Sequence, residues 1–227
     1  MTKHTTFYSN ELAAPTFTAE LPAPYLWFDT QVGLADDLSS WRARVGDYTA
    51  YQPDHNRRFL RPTDRHPNWL ITDSGRGMQI PEVHLSHAQA FTVLTQIAID
   101  DPGLEGQAIL VYPSGVFYSY HGNVEFYIRE GNAGCNPTAR ISPGDFTVAG
   151  GDAVVGSYPC SRSFVEKNLQ FGYNRYGGMN SILDGEWTIG TATGASGFGG
   201  RIKGFTVFDF QLSDTQRNAW VDYLTTH

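Results

Sequence analysis

Asp184-Gly185-Glu186 places two carboxylates at the i, i+2 spacing that puts strand residues on one face. Paired acids at about 5–5.5 Å can cleave a glycosidic bond, one protonating the leaving oxygen and the other attacking the sugar. Asp-Gly is, however, a common turn dipeptide, and no third carboxylate follows in the Glu-x-Asp-x-x-Glu manner of strand-borne glycosidase sites. The segment therefore reads as a turn. Glu125 and Glu130 are five apart and fall on opposite faces of a regular strand. Ser196, in Gly194-Ala195-Ser196-Gly197-Phe198, does not sit in a G-x-S-x-G elbow. Gly75, Gly77, Gly197, Gly199, Gly200 and Gly204 fit neither the dinucleotide nor the P-loop spacing and read as turns. No catalytic residue is assigned, and a non-enzyme is expected.

Binding chemistry is better represented. Tyr173-Asn174-Arg175-Tyr176-Gly177-Gly178-Met179-Asn180 combines rings that stack on sugar C–H faces with amides that bond hydroxyls. Tyr173, Asn174, Tyr176 and Asn180 are the candidate carbohydrate contacts. Tyr118, Tyr120, His121 and Asn123 have the same chemistry. Either set serves equally as cover for a core or as a protein contact, since Tyr is favoured at interfaces. His84 and His87, three apart in a loop-like segment, read as a surface loop rather than a zinc site. Asp36-Asp37 and Asp100-Asp101 with Glu105 offer oxygen ligands for Ca²⁺ without an EF-hand spacing, so solvated turns are favoured and no cofactor is assigned. Cys135 and Cys160 are the only cysteines. They allow a single bridge, worth roughly 3 kcal/mol in the chain-entropy model, or two reduced thiols.

The elements that must position these groups are mostly strands. The 227 residues include 14 Phe, 12 Tyr and 5 Trp, enough for a sizeable core, while 24 Gly and 12 Pro imply many turns. A net charge of −7, with 16 Lys and Arg and no basic run, argues against nucleic acid as partner. The longest apolar run, near Phe91 to Ile99, is far short of the roughly 20 residues of a membrane span. No apolar stretch at the start resembles a secretion signal. Residues 1–24, with Pro15, Pro22 and Pro24, read as an extended arm whose Phe7, Tyr8 and Phe17 should dock on the domain itself or on another subunit.

Residues 25–227 read as one domain of short strands. The best is Gln89 to Ile99, with Phe91, Val93, Ile97 and Ile99 at period two. Others are Tyr25–Phe28, Asp47–Tyr51, Trp69–Thr72, Met78–Val83, Gln107–Tyr112, Val116–Tyr120, the Val124–Ile128 alternation, Phe146–Ala149, Phe164–Phe171, Trp187–Thr191 and Arg201–Phe210. One helix closes the chain. Ser213 and Gln216 form a capping box, and Trp220 with Leu224 gives an apolar stripe.

The segment Phe198-Gly199-Gly200-Arg201-Ile202-Lys203-Gly204-Phe205-Thr206-Val207-Phe208-Asp209-Phe210-Gln211-Leu212-Ser213, closed by Trp220 and Tyr223-Leu224, resembles the end of laminin-G-like domains of the concanavalin A-like lectin/glucanase superfamily. Leu26-Trp27-Phe28-Asp29 with Trp41, and Phe91-Thr92-Val93, extend the likeness over residues 25–225. It implies an all-β fold, a two-sheet antiparallel jelly-roll sandwich with a short C-terminal helix, and no single function. The function expected is a non-enzymatic surface module binding glycans or protein scaffolds. Without an export signal, one route outside is release with phage particles at lysis. That implies a bacteriophage virion accessory, in head decoration or tail and fibre adhesion, with virion proteins or self as partners through the arm and a virion-surface location. The alternatives are a secreted protein and a glycoside hydrolase or lyase of the same fold.

Overall fold

A computed structural model describes residues 15–62, 68–73, 75–85, 88, 90–100, 107–113, 115–120, 123–130, 133–135, 138–140, 145–154, 161–172, 184–190 and 198–227. The strands are β1 Leu26–Asp29, β2 Ser40–Arg42, β3 Thr49–Tyr51, β4 Leu70–Thr72, β5 Gly77–Val83, β6 Ala90–Ile99, β7 Gln107–Tyr112 and β8 Gly115–Tyr120. They continue with β9 Asn123–Glu130, β10 Ala133–Cys135, β11 Thr138–Arg140, β12 Thr147–Val154, β13 Ser161–Val165, β14 Asn168–Gly172, β15 Gly185–Gly190 and β16 Gly200–Phe208. The helix α1 spans Asp214–Thr226, and a 3-10 turn covers His55–Arg57.

These strands form two antiparallel sheets. One has seven strands, in the order β1-β16-β6-β12-β13-β14 with β4 also on β16. The other has nine, in the order β10-β9-β8-β7-β15-β5-β3-β2 with β11 also on β9. The inner faces meet in one apolar core, where Phe28, Phe91, Val93, Ile97 and Val207 of the first sheet face Met78, Ile80, Leu110, Tyr112, Trp187 and Ile189 of the second. This is the sandwich expected from the sequence.

The central strand departs from a half-buried pattern. The odd positions of β6 face the inter-sheet core, yet Thr92 and Leu94 are also buried. The reason is a third layer. Trp27, Leu94, Val148, Phe164 and Phe208 pack outward against Trp220, Val221 and Leu224 of α1. Gly150 permits that layer: a Cβ there would lie 2.2 Å from the Val93 carbonyl and 2.7 Å from the Phe164 ring.

The helix begins as its sequence dictates. Ser213 Oγ accepts from the Gln216 amide at 3.3 Å, and Gln216 Oε1 accepts from the Ser213 amide at 3.0 Å. Residues 15–24 run alongside it. Phe17 stacks on Trp220 at 6.4 Å, the Trp220 indole donates to the Pro22 carbonyl at 3.1 Å, and the Gln216 amide donates to the Ala19 carbonyl at 3.0 Å. This part of the arm is docked on its own sandwich. Phe7 and Tyr8 lie outside the described residues.

Three local expectations are corrected. Phe164–Phe171 is a hairpin, β13 and β14, because Glu166 turns the chain with φ 53°. Gly185 and Glu186 open strand β15, with a bulge between Gly185 and Trp187, so Asp184-Gly185-Glu186 leads into a strand. β16 ends at Phe208, two residues short of the expected Phe210.

Candidate functional site

The outer faces of the two sheets differ. α1 covers that of the seven-stranded sheet, whereas the described residues place no helix over the other. There a groove of about 460 Å³ crosses β5, β15 and β7. Its floor comes from alternation: Trp187 and Ile189 point into the core, so Glu186 and Thr188 point out. Thr188 pairs with Gln79 on one side and Val111 on the other, and Gln79 pairs with Tyr51. One cross-strand row therefore runs Tyr51, Gln79, Thr188, Val111. Its outermost ring, Tyr51, is 50% exposed.

The wall is the segment Gln52–Arg57 that follows β3. Gln52 is buried and clamped, its amide donating to the Gly77 carbonyl at 2.8 Å while its Oε1 accepts from the Asp54 amide at 3.2 Å. Asp54 caps the 3-10 turn through Oδ1 and the Asn56 amide at 3.0 Å. That turn sets Arg57 on the rim, its Nε donating to the Gly75 carbonyl at 3.4 Å. Gln79 donates to Glu186 at 3.2 Å. Asp54 Oδ2, the guanidinium end of Arg57, Gln79 Oε1 and the Thr188 hydroxyl have no partner among the described residues. The groove thus offers acceptors and a cationic donor within one sugar-sized space, and the Tyr51 ring stands next to Gln79 in the same cross-strand row, outside the lining; this is chemistry that holds polyols.

The structure places the sequence candidates as follows. Tyr173, Asn174, Tyr176 and Asn180 lie outside the described residues. Tyr118 and Tyr120 stand in β8, paired with Glu125 and Asn123 of β9, in the groove's own sheet. Cys135 is in β10 opposite Ile128, and Cys160 lies outside the described residues. Asp184 does not share a site with Glu186, since its carboxylate accepts from the Leu85 amide. Asp37 bonds Ser39 and pairs with Arg58 at 3.3 Å, and Asp100 pairs with Arg201 at 3.0 Å. Asp101 and Glu105 lie outside the described residues, among which no three His, Cys, Asp or Glu side chains cluster. His84 is exposed, beside Glu82 at 3.9 Å. Gln52, Asp54, Arg57 and Gln79 were not legible as a site, because only strand pairing brings their segments together.

No family model matches the chain, and no curated protein matches it. Solved structures do. The binding domain of botulinum neurotoxin DC, in complex with SialylT, superposes with a TM-score of 0.64 at 9% identity, covering 88% of this chain and 51% of that one. A Trypanosoma rangeli sialidase in complex with 2,3-difluorosialic acid gives 0.63 at 10% identity, covering 94% and 35%. Domain 4 of AbnA, a GH43 extracellular arabinanase from Geobacillus stearothermophilus in complex with arabinotriose, gives 0.56 at 10% identity, covering 87% and 98%. The chain thus spans about half of the neurotoxin domain and a third of the sialidase. At such identities these matches establish the fold alone, a two-sheet antiparallel β-sandwich.

Proposed function

We infer that the chain is a binding module for glycans, held in the groove on the open face of the nine-stranded sheet. The observation that carries this reading is the groove itself, a space of about 460 Å³ with polar groups that have no partner among the described residues, in one cross-strand row with half-exposed Tyr51. Support comes from the neighbours, a toxin binding domain and an arabinanase domain each described with a sugar ligand. A glycan array and an affinity titration test it. Glu186→Gln and Tyr51→Ala should each weaken binding about tenfold, the worth of a charged hydrogen bond or a stacked ring, and leave the melting temperature in place. Unchanged binding in both would remove the groove from the function.

A second reading, a glycoside hydrolase, is favoured by one observation: Asp54 and Glu186 both line the groove. The test is release of reducing ends from the glycan that binds. Turnover abolished by Glu186→Gln with binding retained would decide for the enzyme. The finer placement, a virion accessory whose arm holds it to other virion proteins, rests on composition and on the arm. Co-purification of the chain with intact particles tests it.

A further inference from the structure

A second cavity lies on the opposite side of the molecule, beneath the C-terminal end of α1. Where the helix's apolar side chains stop, a space of about 230 Å³ opens against the outer face of the seven-stranded sheet, walled by Trp27, Gln31, Gln96, Lys203, Tyr223 and His227. That is the volume of roughly eight waters at about 30 Å³ each, the size of a small metabolite. A recess of about 90 Å³ adjoins it, sharing Gln96, Lys203 and Leu224.

Lys203 forms no ion pair among the described residues. It projects outward from β16 and is partly buried, and burial draws its pKa down against the opposing pull of Asp29. Asp29 and Arg44 also line the cavity, but they are committed to each other at 2.6 Å, and the guanidinium lies 4.5 Å over the Trp27 ring. Glu166 lines the recess without forming an ion pair with Lys203. The Trp69 ring lies 5.9 Å from the ammonium. The helix end does not claim it either. The Leu224 carbonyl accepts from Gln96, the His227 carbonyl from Gln31 at 2.9 Å, and the Tyr223 carbonyl from the His227 amide at 3.2 Å.

A partly buried ammonium without an ion-pair partner among the described residues is costly, and an entering carboxylate would offset that cost through charge-assisted hydrogen bonds. The glutamines define the rest of the ligand. Each gives its amide nitrogen to the helix end, which leaves both Oε1 atoms as acceptors without partners among the described residues. The Tyr223 ring, stacked on His227 at 4.3 Å, supplies an apolar wall. We propose that this cavity binds a small hydroxylated carboxylate, its acid on Lys203 and its hydroxyls on Gln31 and Gln96.

The test is a titration of the full chain followed by NMR, with sodium glucuronate and sodium gluconate as probes and glucose and hexanoate as controls. Glucuronate binding points to a ring-form acidic sugar and gluconate binding to an open-chain hydroxy acid; either supports the proposal. Resonances of Gln96, Lys203 and Tyr223 should shift and saturate. Lys203→Met should weaken the acid at least about tenfold, the loss of a charged hydrogen bond, while Glu186→Gln in the distant groove leaves it unchanged. Glucose, which lacks the acid, and hexanoate, which lacks the hydroxyls, should bind at least about tenfold more weakly. In the unaltered chain the bound acid should protect Lys203 from reductive methylation. The proposal fails if neither acid binds, if Lys203→Met binds as tightly as the parent, if hexanoate matches glucuronate, or if bound acid leaves Lys203 unprotected.

Discussion

Asp152 is a fully buried carboxylate on β12, and its surroundings explain why it is tolerated. Arg162 Nε donates to its Oδ1 at 2.8 Å and Gln211 adds a bond at 2.9 Å. Arg162 also reaches Asp214, 3.7 Å away, in the first turn of α1. Removing one partner of a buried pair strands the other, at about 3–5 kcal/mol. Asp152→Ala should accordingly lower the unfolding free energy by about 3 kcal/mol in urea titration. Three tyrosines set an alkaline limit. Burial pushes the Tyr112 hydroxyl well above its ordinary range, and burial with the Tyr48 hydroxyl at 2.6 Å does the same for Tyr25. Tyr223 is raised by burial too. A folded pKa above the unfolded one means that the native state keeps its proton longer. The associated stability is complete below about pH 10, the unfolded value, and is lost as pH climbs beyond it. Stability measured from pH 9 to 11.5 should fall, and the fall should be shallower in Tyr25→Phe.

At the scale of elements, α1 begins through local chemistry and holds its place through tertiary packing. Ser213→Ala removes the cap and should cost about 1 kcal/mol, read as a lower denaturation midpoint with unchanged slope. The face that α1 covers depends on a residue with no side chain. A methyl at Gly150 meets the Val93 carbonyl and the Phe164 ring, so β12 or the ring must shift. Gly150→Ala should destabilise by about 1–3 kcal/mol and, by displacing Phe164, loosen α1. Protection of the helix amides from hydrogen exchange would then drop more than that of β6.

For the whole molecule, the two outer faces have separate fates. One is packed by α1 and by residues 15–24, and over β5, β15 and β7 the described residues leave the other uncovered. Phe17 belongs to that packing, so Phe17→Ala should cost about 1–2 kcal/mol in thermal or urea unfolding while glycan binding in the groove is unaffected. The fold was readable in advance because its signals are local. Period-two apolar residues mark β6, the Ser213–Gln216 box marks the start of α1, and turn residues separate the strands. The same signals could not show that Phe164–Phe171 folds back at Glu166, a residue in a conformation that its type does not announce. Nor could they show the site. Alternation reveals which residues share a face but carries nothing about what lies above that face. Leu94 is buried because Trp220, far along the chain, packs over its sheet. Glu186, Gln79 and Asp54 meet only because β15 pairs with β5 and β5 with β3. The sequence by itself determined the central strands, the helix cap and the sandwich class. Long-range register and the choice of face to cover, both set by packing between distant segments, determined where the groove and the Lys203 cavity lie.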